Sequence, residues 1–196
     1  MTPSAVFDTT WGVWALSWIV AAFWSAAAVE KRNWRAVWFP YALIVLSVVF
    51  PVIWHGIGIW TPRFWDVGRD GAYGLALATI PGFLFAWWAR LHLGPLWSAA
   101  ITRKQDHRVI DSGPYALVRH PIYTGILWAA LVTDIAAASV PALVSFAALL
   151  AGFWLKARLE EQFLGEQLGW PAYAAYRRRV PMLVPWPVTG PWNGSC

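Results

Sequence analysis

The sequence contains one cysteine, Cys196, so it can build no disulfide framework, no zinc knuckle and no paired-thiol redox centre. It is also poor in charge. Only 13% of its 196 residues are Asp, Glu, Lys or Arg, and 59% are hydrophobic, whereas about a quarter of an ordinary soluble domain is charged. Ten acidic and fifteen basic side chains cannot clothe a soluble globule of this size, and most of the exterior must face lipid. The net charge of +5 is split into short clusters between apolar runs, which argues against a nucleic-acid surface. Internal repeats, low-complexity tracts and flexible linkers are missing too, so residues 1–196 read as a single membrane domain.

What the chain does have is four apolar runs: Trp11 to Val29, Val37 to Trp54, Gly71 to Trp88 and Tyr123 to Leu155. Crossing ~30 Å of hydrocarbon takes about 20 helical residues, so the first three fit one crossing each. The fourth suits two short crossings, because Ser139-Val140-Pro141 in its middle supplies a cap residue and a helix-starting proline. The expected fold is all-α: an integral membrane protein of five transmembrane helices, the last two a helical hairpin, with kinks at Pro40 and Pro81. Orientation follows from the basic residues, since loops rich in them stay cytoplasmic. Lys31, Arg32, Arg35, Arg90, Arg103, Lys104, Arg108, Arg119, Lys156, Arg158, Arg177, Arg178 and Arg179 fall on one side of this arrangement, and only Arg63 and Arg69 on the other. This predicts an outside N-terminus and a cytoplasmic C-terminus. The ten residues before the first run hold Asp8 and no basic residue, unlike a cleavable signal peptide. Of the 17 tryptophans, Trp11, Trp34, Trp38, Trp54, Trp60, Trp65, Trp88 and Trp154 fall near run ends and are expected to form an interfacial belt.

Nearly all the His, Arg and Glu that can do chemistry lie in segments 89–122 and 156–196, which this topology places on the same cytoplasmic face. The first ends in Arg119-His120-Pro121 at the start of the fourth span, where a helix N-terminus offers unpaired amides and partial positive charge to an anion. The second begins Lys156-Ala157-Arg158-Leu159-Glu160-Glu161. Lys156 and Glu160 share a helix face at a spacing of four, as do Arg158 and Glu161 at three. Helix support and snorkelling account equally for such pairs at a span end. Asp134, inside the fourth span, is either functional or close enough to Ser139 to reach the outer interface. Arg177 to Arg179 read as contacts to anionic headgroups.

The run Gly113-Pro114-Tyr115, then Arg119-His120-Pro121-Ile122-Tyr123-Thr124-Gly125, then Glu160-Glu161, Tyr173 to Tyr176 and Val180 to Pro185 resembles the isoprenylcysteine carboxyl methyltransferase family. That family is related to the phospholipid N-methyltransferases, and the resemblance runs from Leu93 to Pro185. It implies a multi-pass membrane enzyme with its active site on the cytoplasmic side. The enzyme would take a methyl group from S-adenosylmethionine, release S-adenosylhomocysteine and, without a metal, serve a lipophilic acceptor arriving from among the membrane lipids. The matching cofactor positions are His107, Arg108, Val109, Ile110, Tyr115, His120, Pro121, Ile122, Tyr123 and Glu160. Lys156, Arg158 and Glu161 fall on the acceptor side. The family usually has Arg where this chain has Lys156, and Lys cannot make Arg's forked contact to a carboxylate.

The donor's own chemistry agrees, since it carries an ammonium, a carboxylate and a sulfonium. Glu160 suits the ammonium, His120 with the start of the fourth span suits the carboxylate, and Tyr115 or Tyr123 suits adenine or the cationic sulfur. A carboxylate or thiolate acceptor needs no proton removed, so no acid–base residue is assigned. An ammonium acceptor would need a base, with Glu161 and His107 as the candidates. Two other readings stand beside this one. An NADPH-dependent membrane sterol-reductase-like enzyme shares the Arg-His-Pro-x-Tyr element, although the paired glutamates suit a cationic cofactor and no Gly-x-Gly-x-x-Gly follows a strand. A non-catalytic lipid-binding membrane protein would leave both polar segments as interfacial loops.

Overall fold

The computed structural model describes residues 1–24, 30–31, 34–59, 61–97, 102–103 and 110–186. Among the described residues six α-helices carry the fold: α1 (Pro3–Ala22), α2 (Trp34–Gly56), α3 (Gly68–Leu93), α4 (Pro121–Ala137), α5 (Val140–Leu168) and α6 (Trp170–Arg179). Four of them contain stretches long and apolar enough to cross a membrane, namely Pro3–Ala22, Val37–Gly56, Gly68–Leu96 and Val140–Glu166, and α4 is a shorter apolar helix of 17 residues. Pro40, Pro51 and Pro81 lie inside helices, where each removes a ladder hydrogen bond.

Helix α1 begins at Pro3 rather than at the first apolar run's Trp11. The cause is local: Pro3 occupies the first turn, and the Ala5 amide donates to the Thr2 hydroxyl at 3.3 Å. Helix α5 continues past Leu155 to Leu168, so the second polar segment opens as helix. The hairpin between α4 and α5 turns where the sequence expects it. Ala138 takes a left-handed φ of 48° and donates to the Asp134 carbonyl at 2.9 Å, and extended Ser139 caps α5. Asp134 thus sits in the last turn of α4.

Connections alternate between two ends of the bundle. At one end a two-residue antiparallel ladder pairs β1 (Glu30–Lys31) with β2 (Thr102–Arg103), tying the α1–α2 connection to the α3–α4 connection. At the other, Phe64 N–H donates to the Ala138 carbonyl at 2.7 Å and Trp65 Nε1 to the Ile135 carbonyl at 3.0 Å, so the α2–α3 connection meets the hairpin turn.

Helix α3 packs along α4, and α2 along α5. The first seam is closed by Gly82 and Gly125, each of which faces the other's backbone with no room for a side chain. In the second, Gly152 faces the Pro40 carbonyl and Ile44. Without a hydrophobic drive between lipid-bathed helices, such close backbone approach is how they hold together. Several tryptophans pack where α1 meets α3 rather than in an interfacial belt. Trp11 and Trp14 pack against Phe83, Trp14 stacks on Trp18, and Trp18 meets Trp87 and Trp97 edge-on. Trp11 Nε1 donates to Thr133 Oγ1 at 3.1 Å. Trp38, Trp65, Trp88 and Trp154 stay exposed, as the belt expectation requires.

Arg90 is not the solvent-facing cytoplasmic charge that the loop count takes it for. It is fully buried, with Trp24 and Trp97 ring centres 5.0 and 4.6 Å from its guanidinium carbon. It donates to the carbonyls of Ala21, Trp24 and Gly94, each at 2.7 Å. One side chain from α3 thereby ties down carbonyls at and just beyond the end of α1, where cations are favoured.

Candidate active site

Pro121 fixes the start of α4, and the two residues on either side of it, His120 and Ile122, face the bundle interior. Two groups of side chains gather around that point. Ile122 and Tyr115 join Ala89 and Trp97 in an apolar wall, with Ile110 and Tyr123 packed against it. Tyr115 sits on a short 3-10 turn (Gly113–Ala116) and stacks on His92 with ring centres 6.3 Å apart. Burial pushes the Tyr115 hydroxyl well above its ordinary value of 10.

Next to this wall stands a charged cluster. His120 Nδ1 lies 3.5 Å from Glu160 Oε2, and its Nε2 lies 3.3 Å from Glu161 Oε1. The Tyr123 hydroxyl donates to Glu160 Oε1 at 2.7 Å and accepts from Lys156 Nζ at 2.8 Å. Lys156 Nζ is 3.4 Å from Glu160 Oε1 and 5.2 Å from the centre of the Tyr41 ring. The rings of His120, Tyr123 and Phe153 stack nearly parallel, with centres 5.4 and 4.6 Å apart, which keeps Tyr123 in place between the charges. Helix periodicity explains the meeting. Lys156 and Glu160 are one turn apart on α5, and His120 and Tyr123 flank the first turn of α4.

Burial alone would lower the His120 pKa, but hydrogen bonds and charges from Glu160 and Glu161 more than offset it and hold the value above 6.5. The sign of the linkage follows. A base strengthened by folding contributes stability that is fully present below its unfolded pKa and lost as pH rises through the raised folded value. The midpoint of thermal unfolding in detergent is therefore expected to fall as pH climbs above about 6.5, and the fall is expected to flatten in His120→Gln.

Of the residues expected from the sequence, the structure brings together Ile110, Tyr115, His120, Ile122, Tyr123, Lys156, Glu160 and Glu161, with Pro121 at their hinge. It leaves Arg158 outside: that side chain is exposed, with its guanidinium over Trp154 at 5.0 Å. His107, Arg108 and Val109 lie outside the described residues. Glu161 is only 2% exposed and Glu160 is 19% exposed, so the acid open to a ligand is Glu160. The start of α4 is partly spoken for, because the Arg119 and His120 amides donate to the Pro181 and Met182 carbonyls at 2.8 and 3.1 Å.

Residues given no role from the sequence also take part. Tyr41 reaches the cluster from α2, and Arg119 donates to Glu161 at 2.7 Å. Arg177 turns inward to within 3.2 Å of Glu161 instead of serving only headgroups, and Arg179 pairs with Asp111 at 3.1 Å. A doublet of buried glutamates demands counter-charges, and that demand was the available signal for Arg119. Nothing local pointed to Tyr41. Among the described residues no three of His, Cys, Asp and Glu gather as metal ligands.

An open apolar groove of about 970 Å³, which His120, Tyr123, Lys156 and Glu160 do not line, runs between α3, α4, α5 and residues 182–185. Pro81, Phe85, Trp128, Leu150, Trp154 and Met182 line it, and Thr124 adjoins Tyr123 at its edge.

Sequence comparison adds an independent view. Residues 75–166 match the sequence model of the isoprenylcysteine carboxyl methyltransferase (ICMT) family. The cobalt-zinc-cadmium resistance protein CzcN of Cupriavidus metallidurans is 31% identical over 120 residues, 59% of this chain and 47% of that protein. Protein-S-isoprenylcysteine O-methyltransferase B of Arabidopsis thaliana is 30% identical over 86 residues, 43% of either chain. The protein-S-isoprenylcysteine O-methyltransferase of Schizosaccharomyces pombe is 33% identical over 87 residues, 44% of this chain and 36% of that one. The chain thus covers less than half the length of each relative. The matched family segment takes in α3 from residue 75, the turn carrying Tyr115, α4 and α5 to residue 166, which is the whole scaffold of the cluster except Tyr41 and Arg177.

Proposed function

Residues 75–166 match the isoprenylcysteine carboxyl methyltransferase family model, and from that match we propose that the chain is an S-adenosylmethionine-dependent membrane methyltransferase acting on a lipophilic acceptor. One observation carries the reading: α4 and α5 bring Tyr123, His120, Lys156 and Glu160 within hydrogen-bonding reach of one another, and Thr124, the residue after Tyr123, borders an apolar groove. The spans are five, with α4 counted as a short one, the N-terminus outside and the cluster at the cytoplasmic end. The alternation of connections between two ends and the distribution of Lys and Arg support this topology.

The chemistry of the donor set fits a zwitterionic, cationic-sulfur cofactor. Glu160 is a carboxylate with some exposure, and Tyr115 and Tyr123 offer aromatic surface. Ile110, Ile122 and Pro121 complete an apolar wall, and His107, Arg108 and Val109 precede it in the chain. When bound, S-adenosylmethionine supplies an electrophilic methyl on sulfur. The protein's part is to bind, align and exclude water, since a displacement between opposite charges is favoured in a dry site. Lys156, held by the Tyr123 hydroxyl against the Tyr41 ring, presents a compact cation to an anionic acceptor group, and the groove accommodates its apolar tail. Glu161 is closed off by Arg119, His120 and Arg177, so it is poorly placed to deprotonate an ammonium acceptor. With Glu161 closed off, His107 is the remaining candidate base, and a carboxylate or thiolate acceptor, which needs none, is the class proposed.

The test is transfer of labelled methyl groups to lipophilic carboxylates, thiols and amines in detergent or vesicles. Label in the carboxylate or thiol set supports the reading, and no transfer to any of the three overturns it. Lys156→Ala is expected to lower kcat/KM for the acceptor by about tenfold or more while changing donor affinity by less than about threefold. The reverse pattern moves Lys156 into the donor pocket.

A further inference from the structure

Glu161 adjoins Glu160, yet neighbouring residues on a helix point about 100° apart and serve different walls. Glu161 is almost wholly buried, and its Oε1 accepts from Arg119 Nε at 2.7 Å with His120 Nε2 at 3.3 Å. Arg177 Nε lies 3.2 Å from Oε2, although that oxygen has no well-aligned hydrogen bond. Two of these partners lead into the C-terminal segment. Arg119 also donates to the carbonyls of Arg177 at 3.2 Å and Val180 at 2.5 Å. The Arg119 and His120 amides hold Pro181 and Met182, and Thr124 Oγ1 donates to the Leu183 carbonyl at 2.6 Å. Farther along, the Tyr176 hydroxyl donates to the Tyr115 carbonyl at 2.7 Å. All of these carbonyls and hydroxyls after α5 lie beyond the segment matched to the family, which stops at 166.

We propose that Glu161 is a positioning residue that latches residues 170–183 across the start of α4 through Arg119 and Arg177, and fixes the His120 ring so that its other nitrogen faces Glu160. The paired glutamates then divide the work. Glu160 faces the ligand space, and Glu161 holds the roof and the histidine from behind. A roof tied by one buried carboxylate is economical, because Glu161 contacts Arg119, Arg177 and His120 at once. The consequence for donor binding rests on the methyltransferase reading. The latch does not.

His120 is faced by Glu160 and Glu161 from α5, by Tyr123 on α4 and by the nearby cations Arg119, Lys156 and Arg177, with Tyr173 of α6 close to Glu161. Replacing Glu161 by Gln removes one of its two anions and keeps the shape. In the full-length protein in detergent, tryptic cleavage at Arg177 to Arg179 is expected to accelerate about tenfold in Glu161→Gln, and the His120 imidazole, followed by NMR, to titrate at lower pH than in the wild type. Glu161→Asp, which restores the charge, is expected to recover part of both. Affinity for S-adenosylhomocysteine is expected to weaken in Glu161→Gln, and more so as pH rises. Unchanged cleavage together with an unchanged His120 titration overturns the proposal. Should Glu161→Gln fail to fold, Arg119→Lys decides: it keeps the charge and loses the fork to the carbonyls, so faster cleavage with His120 still titrating high supports the latch, and wild-type protection overturns it. If the wild type binds no S-adenosylhomocysteine, the donor reading fails, while cleavage and titration still settle the latch.

Discussion

Glu160→Gln is expected to abolish measurable binding of S-adenosylhomocysteine to the purified protein. Glu160 is the acid of the cluster with access to a ligand, and its charge is shared by the Tyr123 hydroxyl, Lys156 Nζ and His120 Nδ1 at 2.7, 3.4 and 3.5 Å. An amide in its place leaves two buried cations without their anion and removes the counter-charge for an incoming ammonium. Removing one partner of a buried charge pair across a binding interface costs about 3 kcal/mol or more, which corresponds to a rise in Kd of a hundredfold or greater. His120→Ala is expected to act in the same direction, because it uncouples both glutamates and removes the ring stacked on Tyr123. Equilibrium binding of labelled S-adenosylhomocysteine checks both variants, with the thermal unfolding midpoint in detergent confirming that each is folded. Wild-type affinity in both would remove the cluster from the donor site.

The second large effect lies away from the charges. A side chain at Gly125 meets the Gly82 carbonyl at once and the Ala86 amide at 2.9 Å, and a Cβ at Gly82 lies 2.5 Å from the Gly125 carbonyl and 2.8 Å from the Trp128 ring. These neighbours are mostly backbone and cannot step aside, so α3 and α4 must separate. Their seam places Ala89 against Ile122 and so sets the position of the apolar wall. Gly125→Leu is expected to leave no folded protein after detergent extraction, and Gly125→Ala to lower stability by about 3 kcal/mol. Gly74→Ala is the matched control. It lies on α3 with open space around it and is expected to be neutral or to stabilise by about 0.5 kcal/mol. Size-exclusion profiles and unfolding midpoints of the three variants distinguish these outcomes.

The features that were legible in the sequence are those set within one turn or one turn-and-cap. Pro121 at the head of α4, Ser139-Val140-Pro141 at the hairpin and the spacing of Lys156 and Glu160 each follow from helix geometry, and each stands where expected. The meeting of His120 with Glu160 was legible for another reason: too few polar groups exist for the two water-facing segments to have many other partners. What escaped depended on contacts between distant segments. Arg90 reads as one more cytoplasmic charge until the end of α1 arrives above it, and Tyr41 acquires a role only because α2 packs on α5. Arg119 and Arg177 face inward because the chain after α6 folds back, a path no periodicity records. Trp11 reads as interfacial by position and instead fills a helix seam together with Trp14 and Trp18, since an indole satisfies either setting. The start of α1 was misplaced because a helix begins where its first amides find a cap, at Thr2, and not where hydrophobicity rises.

The central claim is that the ends of α4 and α5 together form a site for a methyl donor. Titration calorimetry of the wild-type protein in detergent with S-adenosylhomocysteine, and separately with NADPH, addresses it most directly. The account predicts saturable binding of S-adenosylhomocysteine at one site per chain and no heat from NADPH beyond dilution. Saturable binding of NADPH with none of S-adenosylhomocysteine would contradict it.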